Sequence, residues 1–258
     1  MSSCIKDKNP HNVEIVFTKD DHCYKSLIDN QEITYISVTT FISKFFSPFD
    51  PTGEITAACA RNRGITAESM KYEWDTIAKN ASDFGTKIHE VIEDYLLGRN
   101  LRNIPNNDRE IKTFAYAKKL TDKLLEIFDI ISVEKIIFDE RLKIAGTADI
   151  LARFKKDGTF WILDNKTNKK IEFENKYNNF GYEPIRHIPG INFHEYALQL
   201  SMYEFILKYA GYIDEKECVK KALLHITENG VKSYILPDYC KEVKDMINFY
   251  QNNGFVGR

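Results

Sequence analysis

The stretch IAGTADILARFKKDGTFWILDNKT, residues 144–167, decides how this chain is read. Each half alternates apolar and small or polar residues at period two, as half-buried strands do. Lys155-Lys156-Asp157-Gly158 supplies the turn between them. With Asp157-Gly158 as a two-residue type I′ turn, Asp149 lies opposite Lys166 and diagonal to Asp164. Asp164 and Lys166, two apart, share that face, whereas Asn165 points to the other. The opposite face then carries Ala148, Ile150, Ala152, Trp161 and Leu163. Two carboxylates within reach repel each other, and a hard divalent cation relieves the repulsion by taking oxygens from both. The expectation is a Mg²⁺ or Mn²⁺ site, with the carbonyl of Asn165 as a further oxygen ligand. Lys166 stands beside it to orient water and neutralise charge on a phosphorane. A surface hairpin with an ordinary cross-strand Asp–Lys pair is the competing reading of these residues alone.

Outward from this hairpin, strand signals also mark VEKIIFDE upstream, and VEIVF, HCYKSLI and ITYISV near the N-terminus, where Asp29-Asn30-Gln31 makes a turn. A short helix near Thr40–Phe46 is stopped by Ser47-Pro48. Helical periodicity runs from Thr52 to Lys79 with a break at Gly64 and a start at Thr66. It resumes in FGTKIHEVIEDYLLG, capped by Ser82 or Asp83 and closed by Gly98, and again over residues 108–128, 194–209 and about 239–250. Residues 168–192 are polar and aromatic and too long for a tight connection, so they read as a functional loop or flap. The expected architecture is α/β, a mixed central sheet flanked by helices, with an N-terminal hairpin and helical extension over 1–80 and the core over 81–258, together one compact unit.

The 258 residues carry 36 Lys+Arg against 38 Asp+Glu, a net charge of −2, so no global positive field holds a polyanion and nucleic-acid contacts must come from a local patch. No apolar run is long enough to span a bilayer, and the N-terminus resembles neither a signal nor a transit peptide, which points to a cytoplasmic protein without membrane contact. Five scattered cysteines with no CxxC pair read as reduced thiols rather than a disulfide framework, zinc ribbon or iron–sulphur site.

The segments GTADILARF and FWILDNKTNKK resemble the G-x-x-D…D-x-K core of the PD-(D/E)XK nuclease superfamily. Three more segments resemble its RecB-like and phage or viral exonuclease branch, which includes the mitochondrial genome maintenance exonuclease. These are KYEWDTIAKNASDFGTKIHEVIEDYL with its histidine, YALQLSMYEFIL with Q-x-x-x-Y, and HCYKSLIDNQEITYISVTTFI. The resemblance covers residues from about 20 to 210 and implies a restriction-endonuclease-like core. It implies His89, Asp149, Asp164 and the Asn165 carbonyl as metal ligands, Lys166 as the catalytic lysine, and Gln199 and Tyr203 as residues that touch DNA or position that lysine. Two departures bear on the metal geometry: Ala148 stands where the family name has proline, and Asp164 where it often has glutamate.

Around this core, Glu93 sits one helical turn from His89 as a supporting acid. Lys169 and Lys170 form a phosphate track leaving the metal centre, with Arg61, Arg63, Arg99 and Arg102 as weaker cationic candidates. Phe180, Tyr182 and His187 are rings available to stack on unpaired bases. The expected function is a metal-dependent DNA nuclease, an exonuclease acting on ends or single strands by metal-activated water. The alternatives are a catalytically inactive nucleic-acid-binding or complex-assembly module with the same fold, and a restriction-type endonuclease.

Overall fold

A computed structural model describes residues 4–18, 21, 23–28, 30–48 and 53–254. The strands are β1 (Cys4–Lys8), β2 (Glu14–Thr18), β3 (Cys23–Ile28), β4 (Gln31–Ser37), β5 (Phe128–Asp139), β6 (Ile144–Phe154), β7 (Phe160–Lys166), β8 (Val219–Thr227) and β9 (Gly230–Ile235). The helices are α1 (Val38–Ser43), α2 (Glu54–Arg63), α3 (Ala67–Leu96), α4 (Asp108–Ile127), α5 (Asn192–Tyr209) and α6 (Cys240–Asn253). The strands form one mixed sheet in the order β1-β2-β3-β4-β6-β7-β8-β9, with β5 paired to β6 off this path. The fold is α/β, helices flank the sheet, and the N-terminal hairpins extend it, as the sequence leads one to expect.

Apolar alternation places the layers. Ile150, Ala152 and Leu163 pack with Ala222, Leu224 and Ile226 beneath α3 and α4. Leu151, Phe160, Ile162 and Leu223 pack with α1, α5 and α6 on the other side. Ala148 belongs to this second cluster, not with Ile150 as its parity suggests. β1 to β4 curl back over β5 and β6 around a small core of Ile15, Phe17, Tyr24, Tyr35, Ile136, Phe138 and Ala145. Asp7 closes the curl by accepting the Ile136 N–H and pairing with Lys135.

The positioning feature is the edge of β6. β5 pairs along one edge of β6, from Phe128↔Phe154 to Asp139↔Ile144. The other edge is divided: β4 takes Ile144 and Ala145 in parallel, and β7 takes Ile150 to Arg153 antiparallel. Residues 146–149, Gly-Thr-Ala-Asp, lie in the gap, with no described strand pairing them on that edge.

Several sequence expectations are corrected. The β6–β7 turn is not the two-residue type I′: Lys155 to Gly158 form a four-residue loop closed by Phe154 N–H to Thr159 O, with Gly158 N–H donating to Phe154 O. Only Gly158, at φ +73, is left-handed there, whereas type I′ also demands positive φ at Asp157. The ladder pairs Ile150 with Leu163, which sets Asp149 opposite Asp164 instead of Lys166. The slip is two residues, so face parity is preserved. The helix expected to begin at Ser82 or Asp83 begins at Ala67, capped by Thr66, whose hydroxyl accepts from the Ser69 N–H, and runs 30 residues without interruption. Asp83 pairs with Lys79 within it. α1 begins at Val38, capped by Ser37, earlier than expected. β1 lies outside the strands the sequence suggested. The turn assigned to Asp29-Asn30-Gln31 rests in part on Asp29, which lies outside the described residues.

Residues 167–191 form a long coil, as expected of a loop, and it packs on the core. Ile171, Ile185, Ile188 and Ile191 are buried, and Tyr182 N–H donates to Phe45 O at 2.7 Å. No helix among the described residues is long and apolar enough to cross a membrane. All five cysteines are free thiols.

Candidate metal centre

The gap in the β6 edge is where the charged groups meet. Asp149, 7% exposed, turns its carboxylate toward β7 and accepts the Asn165 N–H at 2.7 Å, doing with a side chain what a ladder carbonyl would do. The Asn165 carbonyl is engaged in turn by His89 Nε2 at 3.0 Å. The other ring nitrogen of His89 lies 3.4 Å from Asp149 Oδ2 and 3.5 Å from Glu134 Oε1. α3 delivers His89 because Phe84, Ile88, Val91 and Ile92 bury their stripe against the sheet, leaving position 89 beside the gap.

Glu134 is the residue that sequence reasoning missed. Its neighbours pair as Val133↔Ile150 and Lys135↔Ala148, so Glu134 stands across β5–β6 from Asp149. Glu134 and Asp149 stand side by side on β5 and β6, and Asp164 follows on β7 one residue beyond the last paired position, Leu163. Glu134 has φ +50 in the middle of a strand, a left-handed conformation that costs a residue with a Cβ about 1–2 kcal/mol. Only the alternation of VEKIIFDE, carried across one strand further, could have flagged it. One ligand atom each from His89, Glu134 and Asp149 lies within 4.8 Å of the others.

Asp164 is engaged on the α5 side of the centre. Lys166 Nζ sits 2.6 Å from its Oδ2, a close ion pair. Lys166 also reaches Gln199 Oε1 at 3.5 Å and lies over the Tyr196 ring, 4.6 Å from its centroid. Gln199 donates to the Tyr203 hydroxyl at 2.9 Å, an i,i+4 pair on α5 that holds the lysine's partner in place. Tyr203 in turn presses on Gly146, where a Cβ would lie 2.6 Å from its Cε1.

Charge and burial oppose each other here. Burial penalises the His89 imidazolium, but the carboxylates of Asp149 and Glu134 overcome this and lift it to about 9. Burial raises Asp149, with His89 pulling it back and Glu134 adding to the rise. Asp164 is pushed up to about 6 by burial, against the pull of Lys166 and with the repulsion of Asp149. Burial works against the Lys166 ammonium, yet Asp164 and Asp149 raise it above the ordinary lysine value. The acids Glu134, Asp149 and Asp164 outnumber the cations His89 and Lys166. This donor set of carboxylates, an imidazole and a carbonyl suits a divalent cation.

Above the centre opens a cleft of about 1170 Å³ between α3, the start of α1 and the curled N-terminal sheet. Tyr24 lines it and meets Thr147 Oγ1 at 2.9 Å, fixing the Gly146–Asp149 segment from the N-terminal side. Glu93 lines the same cleft, yet it is taken by Arg99 and Arg102 and does not join the centre. Lys169 and Lys170 are exposed where the chain leaves β7. Of the rings in the 168–192 coil, Tyr182 meets Ser47 through its hydroxyl at 2.8 Å, Phe180 bridges to Pro189, and His187 faces Glu242. The Tyr182 and His187 contacts tie the coil to the segment after α1 and to α6.

The fold and site thus define an α/β protein with a partly buried acid–histidine–lysine cluster at a split sheet edge. No family model matches the chain, and no curated protein matches it. Among solved structures, that of SSO0001 aligns over 84% of this chain and 73% of its own, at 13% identity and a TM-score of 0.31, a likeness too slight to bear on function.

Proposed function

We propose that this chain is a phosphodiester hydrolase: a DNA exonuclease dependent on Mg²⁺ or Mn²⁺, acting on ends or single strands. The observation that carries the reading is the meeting of His89, Glu134 and Asp149, one ligand atom each within 4.8 Å of the others, with Asp164, the Asn165 carbonyl and a half-buried, charged lysine beside them. Glu134, Asp149, Asp164, His89 and the Asn165 carbonyl are the groups that would hold the cation. When bound, it supplies positive charge to a phosphate oxygen and acidifies a water molecule.

The protein's own groups do the rest. The Lys166 ammonium, kept charged by Asp164, donates to a non-bridging phosphate oxygen or to the attacking water, where negative charge develops in the transition state. Gln199 and Tyr203 fix the direction of Lys166 so that it need not reorganise. Burial of the cluster strengthens each of these interactions relative to water.

The test is hydrolysis of end-labelled single-stranded, double-stranded and circular DNA. Cleavage with Mn²⁺ or Mg²⁺, its loss with chelator, and sparing of the circle are expected. Asp149→Ala, Asp164→Ala and Lys166→Ala should each bring cleavage to background while circular dichroism and the thermal transition show a folded protein. Full activity in all three variants refutes the assignment.

A further inference from the structure

The strands that carry Glu134 and Asp149 are gripped by the N-terminal strands at one and the same rung. Glu134 lies two residues before Ile136 on β5, Asp149 lies two residues after Thr147 on β6, and Ile136 and Thr147 are cross-strand partners. Both members of that pair are held. From β1, Asp7 accepts the Ile136 N–H at 3.1 Å, on the edge of β5 that no described strand pairs. Its other oxygen pairs with the Lys135 ammonium, which also donates to the Lys8 carbonyl at 3.1 Å, so the residue immediately after Glu134 is tied twice. From β3, the Tyr24 hydroxyl meets Thr147 Oγ1 at 2.9 Å. Tyr24 is buried and its ring stacks on Phe17, 4.5 Å between centroids, so the hydroxyl comes from a fixed ring.

We propose that Asp7 and Tyr24 are positioning residues of the cation centre, a two-point brace by which the N-terminal strands hold Glu134 and Asp149 at the spacing a divalent cation requires. The inference rests on the reading of the centre as a divalent-cation site and goes beyond it, because it assigns part of the affinity to residues outside the donor set. Two carboxylates left loose move apart by mutual repulsion, so the groups that fix their strands set how well they can share an ion. Three observations carry the proposal. Glu134 stands at φ +50, a conformation that persists only where its surroundings enforce it, and Asp7 fixes the next two residues. Asp149 ends the stretch 146–149 that no described strand pairs on the β4–β7 side, and Tyr24 ties that stretch where ladder hydrogen bonds are missing. Asp7, Tyr24 and Thr147 line the same cleft as His89 and Glu134, so the brace meets the centre directly.

Mn²⁺ binding to the full chain, followed by electron paramagnetic resonance with no nucleic acid present, tests the brace apart from catalysis. Tyr24→Phe, which keeps the stacked ring and removes one oxygen, and Asp7→Ala should each weaken Mn²⁺ binding roughly tenfold. Asp7→Asn keeps an acceptor for the Ile136 N–H and should recover most of the Asp7→Ala loss. In a Thr147→Val background Tyr24→Phe should cost nothing further, since the two hydroxyls make one bond. Tyr35→Phe is the control. It removes an equally buried hydroxyl of the same small core, bonded to Ser26 Oγ at 2.8 Å, and should bind Mn²⁺ as the wild type does even where its Tm falls. Wild-type affinity in both Tyr24→Phe and Asp7→Ala overturns the brace and leaves the cation centre standing, and an equal loss in Tyr35→Phe does the same. A wild-type protein that takes up no Mn²⁺ overturns the centre and the brace together.

Discussion

Gly146→Ala is the substitution through which the fold and the centre can be tested together. A methyl group at 146 would stand 2.6 Å from Tyr203 Cε1, 3.2 Å from Val38 Cγ2 and 3.3 Å from the Tyr203 hydroxyl. Carbon atoms rest at about 3.5–4.0 Å, so the shortfall against the ring is roughly 1 Å. Tyr203 is 3% exposed in the main core and hydrogen-bonded to Gln199, so moving the ring disturbs both that packing and that bond. Overpacking of this kind costs about 1–3 kcal/mol. For a chain near this length that corresponds to a fall of about 2–12 °C in Tm. The displaced Tyr203 carries Gln199 with it and loosens Lys166, so DNA cleavage should fall more steeply than stability. Differential scanning calorimetry and urea unfolding measure the first effect, and a single-turnover cleavage assay the second. The cost should shrink when Tyr203→Leu removes the ring, because the two changes share one contact. A Gly146→Ala protein with wild-type Tm, or a penalty that is the same with and without Tyr203→Leu, refutes the reasoning.

Other consequences follow from single sites. Glu134→Gly should be about 1 kcal/mol more stable than Glu134→Ala, because only glycine holds φ +50 without strain, while both lose Mn²⁺ affinity; equal urea midpoints would contradict this. Lys221, 3% exposed, is held by Glu204 at 2.6 Å and Asp238 at 2.8 Å, and Lys221→Met should cost about 3 kcal/mol by leaving Glu204 buried with less compensation; a loss under about 1 kcal/mol by chemical denaturation would be contrary. Asp238, on an exposed side chain, is held at about 2 against an ordinary 3.8 by the Lys221 ammonium and hydrogen bonds from Cys240. A lowered folded-state value stabilises at pH above the unfolded value and is lost on acidification. The stability difference between wild type and Asp238→Asn should therefore be level above about pH 5 and shrink from about pH 4 toward 2, and a difference that instead grew with acid would oppose the assignment.

Much of the fold and part of the centre were legible in the residues themselves. The period-two runs around Asp149 and Asp164 mark β6 and β7, and the stripe Ile88, Val91, Ile92 marks α3 as a helix that brings His89 to the sheet. Within the paired part of the β6–β7 hairpin the face a residue takes follows parity, so Asp164 and Lys166 stayed on one face despite a wrong turn type and a two-residue slip, whereas Ala148, beyond the pairing, departs from it. Side-chain alternation and helical periodicity are set by local backbone geometry, and any chain with these residues would show them.

What only the tertiary structure decided is the convergence itself. β4 and β7 share one edge of β6 because distant segments close around it, and the Asp149 carboxylate moves into the opening they leave to bond Asn165. Glu134 enters the centre through a left-handed residue on β5, a conformation that local preferences disfavour and surrounding packing enforces. The rings of Phe173, Phe193 and Tyr234 are brought together from a coil, a helix and an edge strand remote from one another in the chain. Local patterns settle which way a side chain points along its own element; which elements become neighbours is settled by burying the apolar faces of all of them at once.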